Sequence, residues 1–352
     1  MIKRKNLATL AVIAVLSLVL ACFGACSSGG SASSAAPAAP AAPASSAAAS
    51  ASGSSDAAPA TPAAPGEKVK IGVSVMTHNN SFFLAEIEGV ELAAAEIWGD
   101  NVEILKPDPA LDVTKQIEQC QDLVNKGVHA LLIDAVDVDA IQPAVEAAKA
   151  AGIPVIAIDT AIPNLKSDLL TEVYSDNTKA GRIAAQELID KIGGAGEIAI
   201  LNHPEVACVR ERTDGLAEVL KDYPDVKIVA DVSSHGNVVE AQQTMETFIQ
   251  AHPNLKGVFA INDPTAQGAI AAIKAAGLDI KVVSIDGSQS AIDMIKDGEL
   301  LCSAAQDPIE IGRRATEAVR DYLEGKTVEE TIVIDTFPIN GENWSDYDGK
   351  QF

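Results

Sequence analysis

Two aspartates end the two halves of a repeated pattern. The segments "GVHALLIDAVDVDAIQPAVEAAKAAGIPVIAID" (127–159) and "GVFAINDPTAQGAIAAIKAAGLDIKVVSID" (257–286) each follow the order strand, helix, strand, and they end on Asp159 and Asp286. A carboxylate accepts hydrogen bonds, so it suits a ligand that carries hydroxyl groups. Ligands of open parallel sheets bind outside the carboxyl ends of the strands. If two such domains face each other by these ends, both carboxylates point into the gap between them.

The rest of the body alternates strands with helices. Apolar runs such as "VKIGVSV", "NVEIL", "EIAIL", "VKIVA" and "LLCSAA" are separated by helical patterns, for example at 113–125 and 140–150. This alternation is typical of parallel sheets built from βαβ units. Gly152 and Gly277 stand where the end of a helix needs a left-handed residue. We therefore predict an α/β protein with two similar domains in tandem.

The first 66 residues do not have the pattern of a folded domain. Residues 1–26 combine a basic start, an apolar run and small residues before a cysteine, which predicts a secretory signal peptide. "VLAC" and "FGAC" both resemble a bacterial lipobox; we predict lipidation at Cys26, with Cys22 as the alternative. Residues 27–66 are almost wholly Ala, Ser, Pro and Gly, which predicts a disordered tether. The expected location is the extracytoplasmic face of the cell membrane, with a lipid as the only anchor.

Charge and cysteine content exclude other classes. The net charge of −23 argues against a nucleic-acid partner, which requires a basic surface. The body holds an odd number of cysteines without CxxC spacing, which we interpret as small buried apolar residues; they are Cys120, Cys208 and Cys302.

No catalytic or metal-binding motif stands out. The sequence has no G-x-S-x-G, Walker loop or HExxH, so only the carboxylates could support an enzyme such as a glycosidase. Asp134, Asp137 and Asp139 form an acidic cluster, but it lacks the glycine of a calcium loop. We interpret that cluster as a polar loop and the first turn of a helix. No catalytic residue, metal or cofactor is predicted.

A series of phrases recurs in a fixed order along the body: "VMTHNNSFFLAEIEG", "LLIDAVDVDAI", "AGIPVIAID", "VYSDNTKAG", "CVRERTDGL", "GVFAINDPTAQGA", "VVSIDGS" and "AAQDPIEIG". Together they resemble the type I periplasmic sugar-binding proteins, and the ribose-binding group of ABC importers in particular, over roughly 68–340. The resemblance implies a non-enzymatic monomer that captures a monosaccharide or polyol and delivers it to an ABC permease. Its fold would be two doubly wound parallel-sheet lobes joined by a three-strand hinge. The lobes would hold 67–175 plus 307–334, and 176–306 plus 335–352.

The resemblance also implies the ligand-binding residues. The amides and carboxylates would bond hydroxyl groups, the phenylalanine rings would cover an apolar sugar face, and the arginine would reach hydroxyls or the ring oxygen. Arg212 is expected to make structural contacts within its own lobe. The predicted set is Asn80, Phe82, Phe83, Asp134, Asp159, Arg210, Asn262, Asp286 and Gln306.

Three positions depart from the ribose-binding pattern. Thr160 stands where ribose binders have arginine, Gly236 where an aromatic ring would stack, and Asp134 where an amide is usual. His235 or His78 could supply part of the missing surface. A pentose, a hexose, a polyol and a furanose signalling molecule therefore all remain open as ligands.

The role of the captured ligand also stays open at this stage. A sensory protein that presents its closed form to a chemoreceptor or kinase would share the pattern. Repressors with this fold carry a DNA-reading helix-turn-helix ahead of it, where this chain has the predicted leader and tether.

Overall fold

A computed structural model describes residues 68–352 of the chain. The predicted signal peptide, the tether and the lipidation site at Cys26 or Cys22 lie outside these residues. Within the described part of the chain, no helix has the length and apolar character needed to cross a membrane.

Twelve strands and nine α-helices make up the described residues, together with three short 3-10 segments. The strands are β1 (Val69–Ser74), β2 (Val102–Leu105), β3 (Ala130–Ile133), β4 (Val155–Ile158), β5 (Thr171–Ser175), β6 (Gly196–Asn202), β7 (Val226–Ser233), β8 (Leu255–Ala260), β9 (Lys281–Asp286), β10 (Cys302–Ala305), β11 (Thr331–Ile334) and β12 (Phe337–Asn340). The helices are α1 (Ser81–Trp98), α2 (Val113–Asn125), α3 (Gln142–Ala150), α4 (Asn177–Ile192), α5 (Ala207–Leu220), α6 (Val238–Ala251), α7 (Asp263–Ala276), α8 (Gln289–Lys296) and α9 (Pro308–Leu323).

The strands form two six-stranded sheets with matching order. The first sheet runs β11-β5-β4-β3-β1-β2 and the second runs β12-β10-β9-β8-β6-β7. All neighbours are parallel except β12, which pairs antiparallel with β10. We call the first sheet with α1, α2, α3 and α9 the first lobe, and the second sheet with α4 to α8 the second lobe. The predicted repeat is confirmed, since β4 and β9 hold the third position in their sheets.

Helices cover both faces of each sheet, which explains the nearly continuous apolar character of the strands. Along β3, Ala130 and Leu132 pack towards α1 and α9, whereas Leu131 and Ile133 pack towards α2 and α3. This alternation follows from the two-residue period of a strand. In the second lobe, α4 and α5 cover one face, and α6, α7 and α8 cover the other. Each lobe therefore has its own core, and the strand ends remain for the site.

Helix boundaries follow the local sequence. The predicted left-handed residues are confirmed, since Gly152 has φ 72° and Gly277 has φ 65°. The predicted helix at 140–150 begins later, at Gln142. The reason is a turn in which Asp137 accepts hydrogen bonds from the backbone of Asp139 and Ala140, each at 2.9 Å.

The chain passes between the two sheets at three places: from β5 to α4, from β10 to α9, and from β11 to β12. Neighbouring crossings are tied together, because the Asp176 backbone N–H donates to the Ile334 carbonyl at 3.0 Å and the Thr336 hydroxyl donates to the Asp176 carbonyl at 3.3 Å. These short crossings are the only places where the chain leads from one sheet to the other within residues 68–352.

Candidate ligand-binding site between the two lobes

The two repeated aspartates lie at equivalent strand ends and are both buried. Asp159 follows β4 and is 4% exposed, and Asp286 ends β9 and is 5% exposed. Both have an unusual backbone, with φ 57° at Asp159 and φ 130° at Asp286. Such conformations are costly for residues other than glycine, and they cluster at ligand sites.

The guanidinium of Arg212, on α5, acts on both aspartates. Its Nη1 lies 3.6 Å from Oδ1 of Asp286 in the same lobe. Burial raises the pKa of Asp159, in the other lobe, to about 6, and the positive charge of Arg212 works against that rise. Burial likewise raises the pKa of Asp286, again opposed by Arg212. The site thus has acid groups from both lobes around one cation.

The lobes touch beside this group of charges. The hydroxyl of Thr160, next to Asp159, lies 3.7 Å from the Sγ atom of Cys208 on α5. Both residues are buried. The structure is therefore a closed form, in which side chains at the strand ends of the two sheets meet.

Asp286 is held in place by its own lobe. The Gln306 side chain donates to its Oδ1 at 2.9 Å, and the backbone N–H of Asp263 donates to its Oδ2 at 3.4 Å. The carboxylate of Asp263 is itself fixed by the hydroxyls of Ser303 and Ser288, both at 2.7 Å. Since these groups hold the orientation of Asp286, its carboxylate is preorganised.

The first lobe contributes two further buried acids. Gln116 anchors the end of β3 by donating to the Asp134 carbonyl at 2.8 Å, and its own side-chain oxygen accepts from Val136 at 2.9 Å. The side chains of Asp134 and of Glu86, on α1, are fully buried, and no donor within residues 68–352 is in hydrogen-bond geometry on any of their four oxygens. Burial raises the pKa of both groups, and the negative charge of Asp159 raises it further; for Asp134 the Thr160 hydroxyl and the Met76 backbone N–H work against this rise.

The predicted loop after β1 lies at the start of α1. The Asn80 side chain caps this helix by accepting from the Phe82 backbone at 3.0 Å. The Phe82 ring is 4% exposed and packs edge-on against Phe83 and Phe352, with centroids 5.7 Å and 5.6 Å away. Phe352 also accepts a backbone hydrogen bond from Gln289 of the second lobe at 3.0 Å. Phe352 therefore connects the two lobes beside Phe82.

Asn262 lies in the opposite wall at the start of α7. Its side-chain oxygen accepts from Thr265 at 3.0 Å, and its side-chain nitrogen donates to the Gly236 carbonyl at 3.1 Å. A side chain at Gly236 would approach Asn262 and His203, with its Cβ 3.6 Å from Nδ1 of His203. The half-buried His203 thus lies where the sequence lacks an aromatic residue, whereas His235 is exposed and bonded to Glu240.

Arg212, rather than Arg210, lies beside the buried aspartates. Arg210 is exposed, and its guanidinium donates to the Pro204 carbonyl at 2.7 Å. Arg212 is buried and donates to the Asn177 side chain and to the Ile261 carbonyl, both at 2.8 Å. These last contacts are the structural ones expected for Arg212 within its own lobe, but the same guanidinium also faces the two aspartates.

Within residues 68–352, no group of three or more His, Cys, Asp or Glu side chains is arranged to hold a metal ion. The three cysteines of the body are buried, as predicted. Burial raises the pKa of the Cys208 thiol to about 12, so the only cysteine at the lobe contact described above is a poor nucleophile.

Sequence reasoning did not single out Glu86, and it did not place Arg212 beside the two aspartates. A helical signal was present in both cases, because residues four apart share a helix face. Glu86 lies four residues after the buried Phe82, and Arg212 lies four residues before the buried Leu216. A charged residue within an apolar helical face indicates a buried polar site.

Comparison with known proteins identifies the family. Residues 71–327 match the model of the periplasmic binding protein domain. The chain is 38% identical to the ribose import binding protein RbsB of Bacillus subtilis over 263 residues, which cover 74% of this chain and 84% of that protein. It is 33% identical to the xylitol-binding protein of Mycolicibacterium smegmatis over 242 residues, which cover 68% of this chain and 67% of that protein.

A solved structure extends this likeness to the fold. The ABC transporter solute binding protein from Mycobacterium smegmatis with bound glycerol is 30% identical, with a TM-score of 0.75, and the match covers 81% of this chain and 98% of that one. The predicted fold of two parallel-sheet lobes is confirmed by this match and by the two sheets. The chain therefore belongs to the periplasmic binding protein family, among the type I sugar-binding proteins that serve ABC importers.

Proposed function

We propose that the chain captures one monosaccharide or related polyol between its lobes and delivers it to an ABC permease. The observation that carries this proposal is the burial of Asp159 and Asp286, one from each lobe, around the single guanidinium of Arg212. Carboxylates accept hydroxyl hydrogens, and charge-assisted bonds in a water-poor cleft are the strong kind. Relatives named for ribose and xylitol, and a similar solved structure with bound glycerol, support the same ligand class.

The proposed mechanism is a shift between open and closed forms around the three crossings. A ligand that touches both lobes does so only when they are closed, so its binding free energy favours the closed form. The permease would then recognise the closed shape. The predicted lobe boundaries, 67–175 plus 307–334 and 176–306 plus 335–352, are part of this proposal and place the hinge at the crossings.

The proposal includes an anchor outside the described residues. The leader at 1–26 and the tether at 27–66 support a lipoprotein attached through Cys26, with the binding lobes acting as a monomer at the extracytoplasmic face of the membrane. Mass spectrometry of the membrane fraction tests this anchor. A diacylglycerol group on Cys26 is the expected result, and an unmodified chain beginning elsewhere contradicts it.

A thermal-shift screen against pentoses, hexoses and polyols tests the binding function, because a ligand of the folded state raises the melting temperature. Calorimetry with the best ligand should then show at least a tenfold loss of affinity for Asp159→Ala and for Asp286→Ala, since each leaves ligand hydroxyls unpaired. Asp279→Ala is the matched control, because the Asp279 side chain is 84% exposed and lies on a loop. Affinities within twofold of the parent for both site variants would refute the proposed site.

A further inference from the structure

The buried acids of the first lobe, which we call its floor, offer more hydrogen-bond acceptors than the surrounding residues offer donors. Six buried side-chain oxygens meet no donor in strict hydrogen-bond geometry among residues 68–352: both of Glu86, both of Asp134, Oδ1 of Asp159 and Oε1 of Gln306. Of these groups, Asp134 has the Thr160 hydroxyl and the Met76 backbone N–H near enough to lower its pKa, whereas no such donor acts on Glu86. Asp134 and Asp159 follow the paired parallel strands β3 and β4, so they lie at the same edge of the sheet, and both act electrostatically on Glu86. Gln306 joins the group from the other lobe through its bond to Asp286. A ligand that satisfies this group must bring donors.

The charged groups that act on Glu86 and Asp134 are negative. The charged groups that act on Glu86 are Asp159 and Asp134, and the charged group that acts on Asp134 is Asp159. Arg212 acts on Asp159 from the other lobe, but its guanidinium is already engaged by Asn177, Ile261 and Asp286.

One further acid acts on this group of charges, and a cation expected from the ribose-binding pattern is missing from it. Glu211, on α5, is influenced by the charge of Arg212, which lowers its pKa, and by that of Asp159, which raises it. Thr160 occupies the place where the ribose-binding pattern has an arginine beside Asp159, so the sequence supplies no cation there. The floor is thus rich in acids and poor in cations.

An ammonium group fits this floor better than a hydroxyl group. A protonated primary amine has three donors, no acceptor and a positive charge, whereas a hydroxyl has one donor and two acceptor lone pairs. Each ammonium donor can bond a carboxylate oxygen, and such charge-assisted bonds are about twice as strong as neutral ones. Buried charges of one sign require a partner of the other sign.

We propose that the preferred ligand is an amino sugar or amino polyol, whose ammonium group binds between Glu86 and Asp134 and whose hydroxyls reach Asp159 and Asp286. This inference rests on the proposed function and narrows its ligand class. Glu86 and Asp134 determine specificity for the amine. Asp159 and Asp286 bind the hydroxyl groups, which all ligands of the class share.

The amine also couples binding to protons. Burial and neighbouring carboxylates raise the pKa of Glu86 and Asp134, whereas an ammonium group beside them would lower it and favour their ionised forms. Binding of an amino ligand therefore releases protons, and its affinity rises with pH below the pKa of the amine. A neutral ligand that accepts from the protonated acids would show the opposite trend.

Matched pairs of probes test the inference on the mature full-length protein. The pairs are glucosamine with glucose, galactosamine with galactose, and 1-amino-1-deoxysorbitol with sorbitol, each titrated by calorimetry at pH 5.5 and 7.0. The expected result is that at least one amine binds tenfold or more tightly than its hydroxyl partner at pH 7.0, with a smaller preference at pH 5.5. Titration in two buffers of different ionisation enthalpy should show proton release.

Two site variants and one control complete the test. Glu86→Gln and Asp134→Asn keep the shape of each side chain and should reduce the preference for the amine to less than threefold. Glu88→Gln, on the same helix but exposed, should leave it unchanged. Circular dichroism shows whether each variant is folded. If one of the two site variants does not fold, the folded one decides whether the amine preference depends on the floor.

The outcomes separate this inference from the proposed function. Tighter binding of the neutral member in each pair that binds, unaffected by Glu86→Gln and Asp134→Asn, overturns the inference and leaves the proposed function in place. If the amines do not bind but another neutral sugar or polyol does, the result is the same. Absence of binding by both classes counts against both proposals.

Discussion

Neutralising Asp159 should make the protein more stable and less able to bind. Burial raises the pKa of this aspartate from its ordinary value of 3.8 to about 6, even with the opposing charge of Arg212 nearby. Each pKa unit corresponds to about 1.36 kcal/mol, so ionised Asp159 costs the closed form up to about 3 kcal/mol. Asp159→Asn removes this cost. Asparagine tolerates the left-handed backbone of φ 57°, so the change tests the charge and not the backbone.

The pH dependence of this effect has a definite sign. The folded state holds the proton of Asp159 more tightly than the unfolded state, so the parent loses stability as the pH rises from 3.8 to about 6. Below this window the carboxylic acid and the amide are equally neutral. The variant should therefore match the parent near pH 3.5 and exceed it by up to about 3 kcal/mol at pH 7.5.

Urea denaturation of the ligand-free protein at pH 3.5 and 7.5 measures this difference, and calorimetry measures the expected tenfold loss of affinity. Asp321→Asn is a control of opposite sign, because its hydrogen bond from Arg320 lowers the pKa of Asp321 and neutralisation should slightly destabilise the protein at pH 7.5. The reasoning is refuted if Asp159→Asn is no more stable than the parent at pH 7.5, or if its advantage is the same at both pH values.

Three further changes follow from single contacts. Arg212→Ala leaves buried acids and carbonyls without a partner, so urea denaturation should show a loss of about 3–5 kcal/mol in the free energy of unfolding. Its ligand affinity should fall at least tenfold. Arg210→Ala, at an exposed position, should keep its ligand affinity within twofold of the parent. Deleting Phe352 removes an aromatic contact worth about 0.5–1.5 kcal/mol between the lobes. Calorimetry should therefore show roughly two- to tenfold weaker ligand binding. Small-angle scattering should show a more open ligand-free protein. In Gly89→Ala, the new Cβ would lie 2.1 Å from the Ile309 carbonyl oxygen, so the α1 and α9 helices must separate and urea should show a loss of about 1–3 kcal/mol.

Each of these predictions has an opposing result. Equal affinities of Arg212→Ala and Arg210→Ala would remove the guanidinium from the site. Unchanged scattering and unchanged ligand affinity after deletion of Phe352 would show that this residue does not favour closure of the two lobes. Parent-like stability of Gly89→Ala would mean that the two helices can move apart without cost.

The sequence was sufficient for the architecture because its signals are local and repeated. The 113–125 helical pattern matches α2 residue for residue, and the two repeats place Asp159 and Asp286 at equivalent strand ends. Three strands escaped sequence reasoning: β5, β11 and β12. The first has the polar Glu172, and β12 contains Pro338, a residue that strands accept mainly at sheet edges.

The site was harder to predict than the fold because its charges are set by packing between elements. Arg210 and Arg212 are two residues apart on α5 and so lie on different helix faces; only periodicity with the buried Cys208 and Leu216 selects Arg212. Glu86 lies on the helix α1 and not at a strand end, and the charges of Asp134 and Asp159, which follow β3 and β4, act on it. The placement of such a side chain depends on how α1 packs on the sheet, which no short motif records.

The crystal structure of the protein with the tightest-binding sugar, polyol or amino polyol tests the central claim most directly. We predict one ligand molecule between the lobes, with hydrogen bonds to Asp159 of the first lobe and Asp286 of the second. A ligand held by one lobe alone, or bound outside the cleft, would contradict the account.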